Sequence, residues 1–205
     1  WRKLNRIYAD SEFARDEIHL NYWIPKDKID KIYLGSDQLW SIRPREIKLP
    51  IDDKFIVVMG RWQMYKNVHN ILKAYIQSRN ELLLEHTLIL VGDSNKLGKE
   101  IVAEQVIKMP TNKILKFDYL SDSELKYIYS KATLVIHPSV NEGFGLPAFE
   151  AFGEGAKLLI HKGTPADQEL FREKGVFVAN LLNLSEIEKS IIEGIQFKKE
   201  LVNIE

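Results

Sequence analysis

Cysteine is absent from this 205-residue chain, which excludes disulfides and thiolate metal sites outright. Long hydrophobic runs are missing as well: none approaches the ~20 residues that a membrane-spanning helix needs. Neither sign of charge is in excess, because 29 lysines and arginines stand against 29 aspartates and glutamates. A balanced chain has no bulk attraction to nucleic acid or to an anionic membrane surface, so any anion site must be built locally. No nucleic-acid partner is expected. The five histidines are scattered singly, so no metal site is expected either. No secretory signal opens the chain, since Trp1, Arg2, Lys3, Leu4, Asn5 and Arg6 hold no apolar core. The first residue is not methionine. An excised fragment is the expectation, with the cytoplasm as the default location.

What is present suits a packed α/β protein. About 45% of the residues are hydrophobic, an ordinary share for a globular domain. The length fits one such domain, or one domain with a piece of another. A short strand is predicted at 6–9, then a helix over 11–22 with Ser11 as N-cap. Ile32, Tyr33 and Leu34 read as another short strand. Residues 35–54 hold two prolines, many charges and no period, which reads as a linker.

Regular alternation follows. Apolar runs bounded by turn residues predict buried strands at 55–59, 87–91, 114–117, 133–137, 158–160 and 176–178. Val68, Ile71, Leu72, Tyr75 and Ile76 recur at helical spacing, as do Leu125, Ile128 and Tyr129. The second of these helices carries a capping box, Ser121 with Glu124, and Leu120 can staple to Leu125 across it. Strand–helix alternation with short connections predicts an α/β fold: a doubly wound, Rossmann-like parallel sheet covered on both faces. Right-handed crossovers favour the strand order 3-2-1-4-5-6. In that order the first and fourth strands are neighbours, and the loops after Met59 and His137 face one crevice.

The unusual residues lie in those two loops. The first reads Gly60-Arg61-Trp62-Gln63-Met64-Tyr65-Lys66-Asn67. Asn67 is a candidate N-cap, which puts Lys66 just before a helix N-terminus, where the dipole disfavours a cation unless an anion binds there. Arg61 reaches the same space. The pair suits a phosphate group; two solvated surface cations are the alternative. The loop is not a Gly-x-Gly-x-x-Gly fingerprint and has no Gly-Lys-Ser/Thr run, which disfavours nicotinamide cofactors and Walker-type nucleotide binding. The second loop runs from Pro138 through Asn141, Glu142, Gly143, Phe144, Gly145, Leu146, Pro147, Ala148 and Phe149 to Glu150. Pro147 fits the first position of a helix, and Gly143 and Gly145 let the backbone approach a ligand. Glu142 and Glu150 bracket the loop and suit vicinal hydroxyls. The bland alternatives are a solvated loop acid for Glu142 and dipole compensation in the first helical turn for Glu150.

Together these residues resemble glycosyltransferase family four, retaining enzymes of the GT-B type. The stretch from Asn141 to Ala151 resembles the family's donor motif, two glutamates separated by seven residues. Gly60-Arg61 with Lys66 resembles its strand-end arginine and loop lysine. Val91-Gly92-Asp93 resembles its second strand end, and the run from Asp118 to Leu125 its segment after the third strand. The run from Arg6 to Arg15 resembles the last strand and helix of its N-terminal domain, and Gly35-Ser36-Asp37 the Gly-x-Asp that follows. The resemblance covers nearly the whole chain in the family's order.

The resemblance implies the C-terminal, donor-binding half of a GT-B fold. Residues 1–29 would be a remnant of the acceptor domain, 30–54 a linker with a lead-in strand, and 55–205 the nucleotide-sugar domain. It implies transfer of a sugar from a nucleotide-diphosphate-sugar, with retention and without metal or other cofactor. The acceptor would be a glycan or lipid-linked glycan, held through the N-terminal domain, and a peripheral membrane contact of the whole protein is compatible with that. Arg61 and Lys66 would hold the diphosphate and Glu142 would contact the transferred sugar; these three are the candidate catalytic residues. Glu150 would take the ribose hydroxyls. The amides of Gly143, Phe144, Gly145 and Leu146 would hold sugar hydroxyls and a phosphate oxygen, and Tyr119 and Leu120 would lie beside the base.

The chain departs from the family at Gly155-Ala156-Lys157, where members have Gly-x-Pro, and at 163–169, where Glu169 is the candidate second acid. Trp62 and Tyr65 are expected to pack, against the N-terminal domain in particular. The competing readings are a non-catalytic nucleotide-sugar-binding module and a GT-B phosphorylase or epimerase. The phosphorylase lacks a pyridoxal-lysine motif here.

Overall fold

A computed structural model describes residues 4–32, 34–35, 39, 41–49, 54–78, 80–93 and 113–198. Tyr33, Ser36 and Asp37, which carry two of the expectations above, lie outside the described residues.

Among the described residues, eight strands fall into two parallel sheets. Strands β1 (Ile7–Ala9) and β2 (Ile29–Lys31) pair with each other, flanked by helix α1 (Glu12–Tyr22). The other six are β3 (Phe55–Met59), β4 (Thr87–Val91), β5 (Ile114–Phe117), β6 (Leu134–His137), β7 (Leu158–His161) and β8 (Val176–Ala179). They form one sheet in the order β5-β4-β3-β6-β7-β8, parallel throughout. Counted within that sheet the order is 3-2-1-4-5-6, as the alternation predicts. The helices are α2 (Val68–Gln77), α3 (Glu81–Leu84), α4 (Asp122–Lys131), α5 (Leu146–Gly153), α6 (Pro165–Leu170) and α7 (Leu184–Gln196).

The sheet is buried on both faces, which is why its strands are apolar runs rather than alternations. Ile56, Val58, Leu88 and Leu90 join one core cluster with α2, α3 and α7. Phe55, Val57, Met59, Ile89 and Val91, at the intervening positions, join the other with α4, α5 and α6. The alternation within one strand thus feeds two cores.

Four expectations are corrected here. The short strand lies at Ile29–Lys31 and includes neither Ile32 nor Leu34, because register with β1 sets Ile7 opposite Ile29 and buries Ile29 with Ala9 and Ile24. Ile32 and Leu34 are exposed. The aperiodic stretch before β3 is not a loose linker: Leu39 is buried in the second core and Ile42, Ile47 and Leu49 pack on it. Lys126 on α4 donates to the Leu39 carbonyl (2.8 Å), and the Arg45 amide donates to the Ser123 carbonyl (2.9 Å). Trp62 packs into the first core of its own domain. Asn67 precedes α2 but does not cap it. At φ +54° its side chain turns away, donating to the Leu181 carbonyl at 2.6 Å and accepting from Asn70 at 2.7 Å.

Helix α4 begins as its sequence indicates. The Glu124 carboxylate accepts from the Ser121 amide (2.9 Å) and hydroxyl (2.7 Å), which anchors the segment carrying Tyr119 and Leu120. Ser121→Ala should cost about 1 kcal/mol, the usual worth of such a cap. For a chain of this size that lowers the melting temperature by about 2–4 °C, readable by circular dichroism.

Candidate functional site

The carboxyl ends of β3 and β6 are adjacent, so the loops that follow them meet. The Val140 amide donates to the Tyr65 carbonyl at 2.8 Å, tying the second loop to the first. Beside them Gly92 follows the end of β4, and its backbone lies directly against Gly60. A Cβ there would sit 2.3 Å from the Gly60 carbonyl oxygen, and its φ of +144° also favours glycine.

A cleft of about 660 Å³ opens over these strand ends, a size usual for small-molecule sites. Gly60, Arg61, Gln63, Tyr65 and Lys66 line one side and Asp118, Tyr119 and Leu120 another, with His137 and Pro147 between. Arg61 and Tyr119 are exposed there, while Leu120 is buried. Arg61 and Lys66 are therefore together, and Tyr119 and Leu120 share their cleft.

Glu142 comes from the second loop to meet Lys66. Its Oε1 accepts a hydrogen bond from Lys66 Nζ and lies 3.3 Å from His137 Nε2. The Lys66 and Glu142 side chains are only 18% and 15% exposed. Burial alone would raise the Glu142 carboxyl, but His137 and Lys66 beside it prevail and bring it down to about 2. A depressed carboxyl contributes stability that is present above its unfolded value and lost as pH falls through the folded one. Wild-type stability relative to Glu142→Gln should therefore hold above about pH 4.5 and decline towards pH 2, as denaturant unfolding across that range would show.

The rest of the second loop is held from several sides. Phe144 is buried and stacks on Phe149, with ring centroids 4.4 Å apart. Gly145 caps α5 at φ +92° and passes over His137, whose Nε2 would lie 3.6 Å from a Cβ there. Gly143 is exposed, and its carbonyl accepts from the Ser11 hydroxyl at the start of α1. The Asp10 carboxylate also approaches, 3.1 Å from where a Gly143 Cβ would stand. The β1–α1 unit thus touches the loop.

Two expectations about α5 shift. The helix starts at Leu146, so Pro147 is its second residue and Glu150 its fifth, beyond the first turn. Dipole compensation no longer explains Glu150. It is half-buried; burial and Asp122 at the start of α4 raise its carboxyl. Lys157, at the departure after α5, donates to the carbonyls of Ile195 (3.2 Å) and Phe197 (3.1 Å), within and just beyond the last turn of α7. Glu169 is exposed on α6.

The residue that sequence reasoning missed is His137. It is 3% exposed, ends β6, and lines the cleft beneath Glu142. A polar residue closing a buried apolar strand at the switch point was the available signal. Among the described residues no group of three or more histidines and carboxylates is placed to hold a metal, and no helix is long and apolar enough to cross a membrane.

Comparison with known proteins gives a consistent picture. The sequence model of the family described as "Glycosyl transferases group 1" matches residues 42–201. The chain is 27% identical over 199 residues to O-antigen chain mannosyltransferase B of Escherichia coli, covering 93% of this chain and 51% of that protein. It is 24% identical over 177 residues to O-antigen chain mannosyltransferase RfbU of Salmonella typhimurium, covering 86% and 47%. The chain thus spans about half the length of these relatives. Among solved structures, Anabaena HepE in complex with UDP and glucose superimposes with a TM-score of 0.76 at 18% identity, covering 95% of this chain and 55% of that one. Sucrose-phosphate synthase from Thermosynechococcus elongatus gives 0.72 at 21% identity, covering 91% and 48%. At these identities the structural likeness speaks for the fold alone.

Proposed function

This chain belongs to the glycosyl transferases group 1 family, and on that premise we propose that it is the donor-binding half of a retaining, metal-independent family-four glycosyltransferase. The observation that carries the proposal is the meeting of Lys66 and Glu142 over the switch point between β3 and β6. A cation that receives a phosphate and a carboxylate that faces a sugar belong side by side if a glycosyl–phosphate bond is to break there. Residues 55–205 would form the donor domain and 1–29 the end of the acceptor domain, with 30–54 between.

In this reading Lys66 and Arg61 hold the diphosphate. Breaking the anomeric bond leaves negative charge on the diphosphate and positive character on the sugar. Fixed cations stabilise the first as it develops, and Glu142 faces the second. Glu150 takes the ribose, Gly143, Phe144, Gly145 and Leu146 present their backbone to the sugar, and Tyr119 and Leu120 flank the base. The names of the two curated relatives favour a mannosyl donor and a growing glycan as acceptor. Acceptor positioning, which supplies much of the rate, falls to the other half of the enzyme. The chain alone should therefore bind donor but not transfer it.

The test uses the whole protein with a labelled nucleotide-sugar and a glycan acceptor. Product with the donor's anomeric configuration, formed equally well in excess chelator, is expected. An inverted product, or activity lost to the chelator, would move the protein out of this class.

A further inference from the structure

Glu142 Oε1 faces two groups at once, Lys66 Nζ from the first loop and His137 Nε2 from the floor of the cleft. Only the Lys66 contact is a formed hydrogen bond. The His137 approach, at 3.3 Å, falls short of one, and neither ring nitrogen of this buried side chain has a formed hydrogen bond among the described residues. A buried ring with both nitrogens unsatisfied is costly and calls for an explanation. One explanation is a partner acquired in another state.

The donor reading above, on which this step rests, supplies such a state. A diphosphate that takes Lys66 removes the formed partner of Glu142. A carboxylate only 15% exposed is poorly placed to go without another. His137 already stands beside it, and with its proton on Nε2 the ring donates towards Oε1. Strand β6 is held between β3 and β7, whereas Glu142 rides on a loop, so a small movement of the loop aligns the bond.

We infer that His137 is a positioning residue of the donor site: it takes over the Glu142 carboxylate when the diphosphate occupies Lys66 and so keeps that carboxylate aimed at the transferred sugar.

The experiment compares this chain with its H137L, H137Q and E142Q variants and the H137L/E142Q double variant. Each is titrated calorimetrically with UDP, UDP-glucose, GDP and GDP-mannose. H137L should weaken binding of the sugar-bearing ligand about tenfold, the loss of one charge-assisted hydrogen bond. The matching nucleoside diphosphate, which also takes Lys66 from Glu142, should weaken less, by about threefold, because it carries no sugar for the carboxylate to hold. H137Q, which keeps a donor at that depth, should recover most of the loss, and H137L should have no further effect in the E142Q background. Equal weakening of both ligand kinds, no change in either, or an undiminished effect without Glu142 overturns the inference. A wild-type chain that binds none of the four ligands overturns the donor reading itself. The wild type also supplies a measurement free of folding effects. The nitrogen resonance of the His137 ring should shift as UDP or GDP saturates the site, and a resonance unmoved at saturation overturns the inference.

Discussion

Lys66→Ala should weaken nucleoside-diphosphate binding by about 10- to 150-fold while leaving the parent nucleoside's affinity nearly unchanged. That range is the worth of one charge-assisted hydrogen bond, about 1.5–3 kcal/mol. Two features of the site set where the effect falls. Lys66 is paired with Glu142, so binding exchanges one anion for another rather than capturing a free cation, and that lowers the net gain. Truncation, however, leaves the Glu142 carboxylate facing the diphosphate with no cation between, and that repulsion pushes the loss upward. Arg61 stands exposed on the same wall, where water screens it. Arg61→Ala should therefore cost less than Lys66→Ala while keeping the same preference for diphosphate over nucleoside. Calorimetry with UDP and uridine, and with GDP and guanosine, measures both. Equal losses for nucleoside and diphosphate would remove the phosphate from Lys66.

That the two loops share a crevice was legible before any coordinates. The six strands of the main sheet are apolar runs because both sheet faces are covered, and such runs announce themselves by length and by the turn residues between them. Once six strands alternate with helices, handedness leaves few orders, and the crevice follows from the order. What escaped was fixed by partners distant in sequence. Strand β2 is Ile29-Asp30-Lys31, one apolar residue in three, and only its pairing with Ile7 defines it. Asn67 has the chemistry of a cap, but its side chain is claimed by Leu181, 114 residues away. The stretch before β3 has no period in its sequence, yet Leu39, Ile42, Ile47 and Leu49 turn towards the second core. Extended packing of that kind has no pattern to read. His137 was passed over because a lone histidine carries no spacing. Its meaning comes from Glu142, and the two are joined only by the turn of the loop above β6.

The direct contact of Lys66 with Glu142 was equally hidden, and it leads to the second large effect. Glu142→Gln should tighten nucleoside-diphosphate binding several-fold and yet slow sugar transfer by the whole enzyme by about 10²- to 10³-fold. Binding should tighten because the carboxylate competes for Lys66 and repels the incoming phosphates. At about 5 Å and an effective dielectric between those of the protein surface and water, one such pair of charges is worth about 1–3 kcal/mol. Part of that is recovered by the amide, which still accepts from Lys66. Transfer should slow because the positive character at the reacting carbon arises only as the anomeric bond breaks, and a neutral amide cannot answer it. Losing one preorganised electrostatic contact at the reacting centre carries a penalty of that order. Opposite signs within a single variant separate this role from a structural one. A misfolded loop would weaken diphosphate binding and transfer together. A mere ion pair closing the cleft would, once removed, tighten binding without harming transfer. Only a group that opposes the diphosphate in the ground state and supports the sugar in the transition state gives both. Diphosphate affinity is measured on this chain, and single-turnover transfer on the whole protein with donor saturating, so that the altered affinity does not enter the rate.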